Sequence, residues 1–167
     1  MNPKYRKQLG DRFFDDLVET VWPALEVVLV EEYKDRLSQR RFGDGVVVST
    51  QHRLRHIDWK ASQAQDASFP IELLQDWQSL DIGWYYTLQC DDIWFGHYVE
   101  NLLVTVDVID FGLLRQMRYE AVNGIQPKLS DKGQGHTVFV PVPLSVLRFY
   151  GVSECVFKSS ALPLEQS

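Results

Sequence analysis

Apolar positions along the chain change their period several times, and each change marks an element. Between Asp11 and Val21 the residues Phe13, Phe14, Leu17, Val18 and Val21 recur at three- and four-residue spacing, with Asp15, Asp16 and Glu19 on the other side. That period predicts an amphipathic helix. Pro23 either ends it or opens a second helix as its first residue. The next stretch, "ALEVVLVEEYKDRLSQ", reads two ways. Val27 to Val30 make a buried strand, or the whole stretch is a helix running to about Leu37; helix is the reading taken.

Strand patterns follow. "GVVVST" and "LRHIDWKAS" predict two strands, and "TQHR" between them is short enough for a hairpin. "FPIELL" predicts a third short strand, and "DWQSLDIGWYYTL" a loop or short helix. "DDIWFGHYVENLLVTVDVID" is β-branched and aromatic and predicts strand in two pieces. A helix is expected from Asp110, with Asp110 as N-cap and Asn123-Gly124 as its stop. "GIQPKLSDKGQG" predicts a mobile loop, "HTVFVPV" a last strand and "PLSVLRFYG" a short terminal helix, with residues 159–167 a frayed tail. There is no internal repeat and no dividing linker. The expected fold is α/β, a single domain over residues 1–167 with a central mixed β-sheet flanked by helices.

Composition adds limits. A chain of 167 residues, 45% of them hydrophobic, can bury one real core. Aromatic content of 13%, with five tryptophans, suits a packed core or a stacking surface, and composition does not choose between them. A net charge of −6 argues against a protein that simply coats nucleic acid. Locally the balance inverts. Residues 34–60 carry Lys34, Arg36, Arg40, Arg41, Arg53, Arg55 and Lys60 against only Asp35, Asp44 and Asp58. Cys90 and Cys155 form neither a disulfide framework nor a zinc spacing, and read as reduced, buried thiols of a cytoplasmic protein. The opening "MNPKYRKQLGDRFF" lacks the apolar run of a signal peptide, so a soluble chain without membrane association is expected.

The positive island also holds the candidate chemistry. Asp58 and Lys60 are two apart, so on a strand they leave the same face, while Ile57 and Trp59 point to the other. Asp44 begins the preceding strand, and a hairpin brings it beside them. Two carboxylates on adjacent strands can converge on a hard cation such as Mg²⁺, which takes oxygen ligands. A nearby lysine supplies the positive charge that phosphodiester hydrolysis needs in its transition state. The triplet alone is weak evidence, since an acid-x-Lys occurs about once by chance in a chain of this size. Glu32-Tyr33-Lys34 is such a decoy; in a helix its ends do not share a face.

"GDGVVV…HIDWKAS" resembles the core of the PD-(D/E)XK nuclease superfamily, whose fold is the restriction-endonuclease-like one. Asp44 matches the first acid, Asp58 the second and Lys60 the lysine, while Gly43 stands where the family has proline. The wider run "SQRRFGDGVVV", "IDWK", "FPIEL" and "DIGWYY…CDDIWFG" is similar to a small-domain branch of that superfamily, over roughly residues 36–98. The resemblance implies metal-dependent cleavage of DNA, with Asp44 and Asp58 holding Mg²⁺ (Mn²⁺ substituting) and the backbone carbonyl of Trp59 as a further ligand. Lys60 would orient or activate the water. Members often add an acid from the first helix, for which Glu19 is the best-placed residue, and Glu72 is a candidate extra ligand or supporting group.

Plainer readings stand beside these. Asp44, Asp58 and Lys60 also fit an ion pair on a wet hairpin, worth no more than about 1 kcal/mol, and Glu19 and Glu72 fit solvated faces better than ligand positions. Arg40, Arg41, Arg53 and Arg55, with Lys128 and Lys132 in the loop, either contact phosphates or form a solvated basic surface. Trp84 and Tyr85 fit core packing better than base stacking. His52, His56, His97 and His136 have no ligand spacing, and no G-x-S-x-G elbow or phosphate-binding loop is present. A catalytically inactive subunit on the same fold, binding nucleic acid or assembling with protein, is the alternative; an RNA-directed enzyme is the third. A lone domain of this kind suggests a homodimer or a partner protein that sets the target.

Overall fold

The computed structural model describes residues 3–49, 51–63, 67–117, 128–130 and 136–160. The predicted first helix is there and is longer than its apolar period suggested. Helix α1 (Pro3–Asp16) runs into a π turn at Leu17–Val21 and a last helical turn, α2 (Trp22–Ala24), which contains Pro23. The Trp22 N–H bonds the carbonyl of Leu17, five residues back, and this is the extra residue of the π turn. Leu9, Phe13, Leu17, Val21 and Trp22 form its buried stripe.

The stretch read as a continuous helix divides instead into a strand and a helix. Glu26, at φ 55°, turns the chain, β1 (Val28–Glu32) follows, and α3 (Arg36–Phe42) begins after a short connection. The β-branched valines lose rotamer freedom in a helix and fit an edge strand. A bulge between Leu29 and Glu31 breaks the alternation that would have revealed the strand. The charged half belongs to α3, capped by Asp35, whose Oδ1 accepts the Ser38 N–H at 2.7 Å. Glu32-Tyr33-Lys34 therefore lies at a strand end rather than in a helix, with Lys34 and Glu32 paired 2.7 Å apart at the surface.

The predicted hairpin is β2 (Gly45–Val48) with β3 (Leu54–Ser62), and the two-piece strand is β6 (Asp92–Val99) with β7 (Leu102–Asp110). With β1 and β10 (Ser153–Lys158) they form a six-stranded sheet, ordered β1-β2-β3-β6-β7-β10. All neighbours are antiparallel except β3 and β6, so the sheet is mixed. β10 escaped the sequence reading because a bulge between Cys155 and Phe157 interrupts its period, and the helix before it, α6 (Leu144–Phe149), is not terminal. Ser159 still donates to the carbonyl of Val104, at 2.9 Å; residues 161–167 of the expected frayed tail lie outside the described residues.

"FPIELL" does not join this sheet. It is the centre of β4 (Ser68–Asp76) in a second sheet ordered β5-β4-β9-β8, with β5 Asp81–Ile82, β8 Lys128–Ser130 and β9 Thr137–Pro143. Part of the expected mobile loop is thus strand β8. Asp110 does cap a helix, α5 (Phe111–Gln116), its Oδ1 accepting the Leu113 N–H at 2.9 Å; the expected Asn123-Gly124 stop lies outside the described residues.

The six-stranded sheet separates two cores. On one face α1 and the π turn pack on Val47, Ile57, Trp94, Tyr98 and Val106. Gly96 permits this approach, since a Cβ there would lie 2.4 Å from the Phe13 ring. On the other face the second sheet, α5 and α6 enclose a cluster that includes Phe69, Phe95, Ile109, Val142 and Leu147. Within this second layer Asp107 is completely buried. Arg148 grips both its oxygens, at 2.5 and 2.8 Å, and Ser153 Oγ donates at 3.2 Å. Both cysteines are free, Cys90 buried and Cys155 half-buried.

Candidate functional site

β3 divides its side chains between the two cores. Trp59 stacks on Phe14, ring centres 4.8 Å apart, and Ile57 is fully buried on the same face. Asp58 and Lys60 emerge on the opposite face, under the second sheet. Asp58 is 5% exposed, and its Oδ2 lies 2.6 Å from Lys60 Nζ. That contact has ion-pair distance but poor hydrogen-bond angles, so Oδ2 is met by the ammonium's charge without a well-formed hydrogen bond. An unsatisfied buried oxygen of this kind is costly unless something else meets it.

Asp44 reaches the site from the start of β2. Its N–H bonds the Ile57 carbonyl at 2.8 Å, and its Oδ2 accepts the Trp59 N–H at 3.1 Å. N–H and C=O of one strand residue leave by the same edge, so the Trp59 carbonyl also points to the side where Asp44 sits. Gly43 explains the missing proline. Its φ is +92°, and a Cβ would meet the Ile57 carbonyl oxygen at 2.5 Å. Proline is locked near −65°, so it cannot occupy this turn.

The charges respond to this crowding. Burial pushes the Asp44 carboxyl up to about 7, and the neighbouring Asp58 charge adds to it, against the opposing pull of the Trp59 N–H and Lys60. For Lys60 burial works downward, but Asp58, with Asp44 and Glu72, outweighs it and holds the ammonium above the ordinary lysine value. Lys60 is therefore a fixed cation at neutral pH. Its ammonium also sits 5.0 Å from the centre of the Trp84 ring.

Asp58 and Lys60 form the floor of an open cavity of about 220 Å³. Glu72, from β4, lines it too, and its Oε1 lies 3.4 Å from the Trp84 N–H. Glu72 thus comes beside Asp58 and Lys60, whereas Asp44 sits behind them and does not line the cavity, nor does Glu19, which is exposed on the π turn. Among the described residues no group of three or more His, Cys, Asp or Glu has the arrangement to hold a metal ion. The donors nearest to that role are the carboxylates of Asp44 and Asp58. Hard oxygen donors with one unsatisfied buried oxygen fit a divalent cation of the Mg²⁺ type.

The basic residues disperse. Arg40 lines the cavity, reaching Gln75 at 3.5 Å, and Arg41 turns toward Gln89 and the Phe42 ring. Arg53 is exposed at the hairpin. Arg55 is held by both oxygens of Asp92, at 2.7 and 2.8 Å, on the α1 side of the sheet. Lys128 is exposed on the edge strand β8, and Lys132 lies outside the described residues. The sequence reading missed Arg36 and Gln39, which line the cavity with Arg40. Their i, i+3, i+4 spacing would have shown them on one face, had the Asp35 cap been recognised as a helix start.

Trp84 and Tyr85 pack against the second core, as core aromatics do, while the adjacent Tyr86 is exposed. No family model matches this chain, and no curated protein matches it in sequence. Among the described residues no helix is long and apolar enough to cross a membrane.

Proposed function

We propose that the chain is a metal-dependent nuclease of the PD-(D/E)XK type with a restriction-endonuclease-like fold, cleaving phosphodiester bonds in DNA in the cytoplasm. The observation that carries this reading is the convergence of Asp44, Asp58 and Lys60 at one end of the β2–β3 hairpin, with the Asp58 Oδ2 lacking a well-formed hydrogen bond. A wet-surface ion pair does not explain a carboxylate at 5% exposure beneath a second sheet.

Asp44 and Asp58 would hold Mg²⁺ or Mn²⁺. The ion, when bound, offsets charge on the phosphoryl oxygens and eases deprotonation of the attacking water. Lys60, fixed as an ammonium, acts by positioning that water and countering the developing negative charge, not by removing a proton. The Trp59 N–H holds Asp44 in its rotamer, and on the opposite wall the Trp84 ring faces Lys60 while the Glu72 charge favours its ammonium. The Asp44 carboxyl must be ionised to bind a cation, so metal uptake releases a proton near neutral pH.

The absence of a third convergent His, Cys, Asp or Glu among the described residues favours, as a second reading, an inactive subunit on the same fold that binds nucleic acid or a protein partner. One experiment separates them: thermal unfolding with and without Mg²⁺ or Mn²⁺, run beside a DNA cleavage assay on wild type, Asp44→Ala and Asp58→Ala. A metal-dependent rise in Tm and cleavage, both lost in the variants, supports the nuclease. Cleavage retained by either variant removes the assignment, and no response to metal on any DNA moves the function to the inactive subunit.

A further inference from the structure

The arginines of this chain divide into two kinds. Arg55 turns its fork onto Asp92 and Arg148 onto Asp107, so both guanidiniums are neutralised by carboxylates. Arg36 and Arg40 are not. Both are exposed and line the cavity above Asp58 and Lys60, and among the described residues neither has an acid at ion-pair distance. Asp35, next to Arg36, is engaged in capping α3 through the Ser38 N–H. Arg40 reaches the neutral Gln75, at 3.5 Å. Two guanidiniums without counter-charges are unexpected in a chain of net charge −6.

Their placement also works against α3. Residues four apart share a helix face, where like charges repel. Arg36 is the first residue of the helix, and the positive end of the helix dipole disfavours a cation there. A ligand bringing negative charge over that face relieves both penalties. The helix itself is anchored. Gln39 donates to the Tyr33 carbonyl at 2.7 Å, and the Gln89 N–H bonds the Arg41 carbonyl at 2.6 Å, which ties α3 to the end of α4 (Trp84–Thr87). The two guanidiniums therefore stand on a fixed wall.

The wall and the floor together select the ligand. The lining holds three cations, Arg36, Arg40 and Lys60, and two acids, Asp58 and Glu72, with Lys60 already facing Asp58 at 2.6 Å. That leaves the two arginines, separated along the helix by a rise of about 6 Å. Planar, forked guanidiniums match phosphate oxygens, and two of them in file on one face suit successive phosphates of one strand. Contacts of that kind fix the position of a nucleic acid without reading its bases.

We propose that Arg36 and Arg40 are substrate-positioning residues that grip the phosphate backbone of DNA and lay it across the cavity, independent of sequence. This rests on the nuclease reading for its chemistry, but the grip is a binding property and is measured without metal.

The test is fluorescence anisotropy without divalent ions, on two labelled DNA duplexes of unrelated sequence, with wild type, Arg36→Ala, Arg40→Ala and Lys7→Ala. Lys7 is exposed on α1, across the sheet from the cavity, and controls for the loss of one charge. Each arginine variant is expected to bind both duplexes about fivefold more weakly, with a salt slope smaller by about 0.9, while Lys7→Ala stays near wild type. Without DNA, Tm of Arg36→Ala should equal or exceed that of wild type, which a structural role for Arg36 would reverse. In Mg²⁺ or Mn²⁺ both arginine variants raise KM for cleavage and leave kcat near wild type, because the grip is the same in the ground and transition states. Both variants binding as tightly as Lys7→Ala overturns the proposal. A loss confined to one sequence overturns backbone contact, and a rise in Tm with inorganic phosphate as large as with DNA gives the wall to a small anion instead. Weakened binding in both variants, without cleavage by any of the proteins, supports the grip and rejects the nuclease reading.

Discussion

Two buried aspartates lie on the same face of the six-stranded sheet, Asp58 on β3 and Asp107 on β7, and each faces a cation. Around Asp107 nothing is left over: Arg148 takes both oxygens, Ser153 adds a third bond, and water is excluded. Around Asp58 the bonding is incomplete. Lys60 is near but badly angled, Oδ2 lacks a well-formed hydrogen bond, and a cavity opens above it. A planar two-pronged guanidinium saturates a carboxylate, whereas a single-point ammonium leaves capacity unused. The first arrangement locks α6 onto the sheet; the second holds a carboxylate ready for another ligand. Burial alone does not tell a structural acid from a chemical one; unfilled lone pairs do.

The sharpest way to break this contrast is to remove the saturating partner. Arg148→Met leaves Asp107 buried without its counter-charge and is expected to cost about 3 kcal/mol in urea unfolding. A loss under about 1 kcal/mol would show that Asp107 is no more dependent on its partner than a surface acid.

The second effect is one of pH. The Asp44 carboxyl stands at about 7 in the fold, against 3.8 for an ordinary aspartate. Between those values the folded chain keeps a proton that the unfolded chain has released, so this site's contribution to stability falls as pH rises across that window. Without divalent ions, Tm of wild type should decline toward neutrality more steeply than Tm of Asp44→Asn. With Mg²⁺ the metal-induced increment should grow over the same window, because the cation needs the ionised acid. Parallel pH profiles for the two proteins would remove the electrostatic account of the site.

Smaller again, Ser153→Ala should cost about 1 kcal/mol, the worth of one hydrogen bond to a charged group that keeps its other partner. Smallest is the net apo effect of Asp58→Asn, within about 1 kcal/mol of wild type, because the relief of repulsion on Asp44 is offset by loss of the charge nearest Lys60. The substitution should abolish the metal increment nonetheless. A large apo destabilisation there would make Asp58 a second Asp107, and the comparison would collapse.

What could be read from the chain follows from where the period survives. The β2–β3 hairpin and the β6–β7 pair keep a clear strand signal, so Asp44, Asp58 and Lys60 can be brought together from sequence alone. β1 and β10 are edge strands with bulges, and one extra residue shifts every later side chain to the other face, so their pattern fades. The second sheet is invisible for another reason. The period of "FPIEL" says strand but not which sheet, and that choice is made by contacts such as Phe69 on Phe95, 26 positions apart in the chain. Glu72 is a candidate that its own sequence neighbourhood cannot place, and Arg36 escapes notice because the start of α3 reads as the middle of a longer helix.

The parallel pairing of β3 with β6 has one more consequence. Parallel neighbours cannot be joined by a tight turn, so the chain must leave the sheet and return, and here that excursion is β4, β5 and α4. The connection is itself the wall over Asp58 and Lys60. Changes at its exposed positions, away from the core residues Phe69, Ile71 and Leu88, can therefore reshape what enters without disturbing the strands beneath. The strands form a fixed base and the connection over them an exchangeable cover, and changes in what the cavity accepts should accumulate in that cover first.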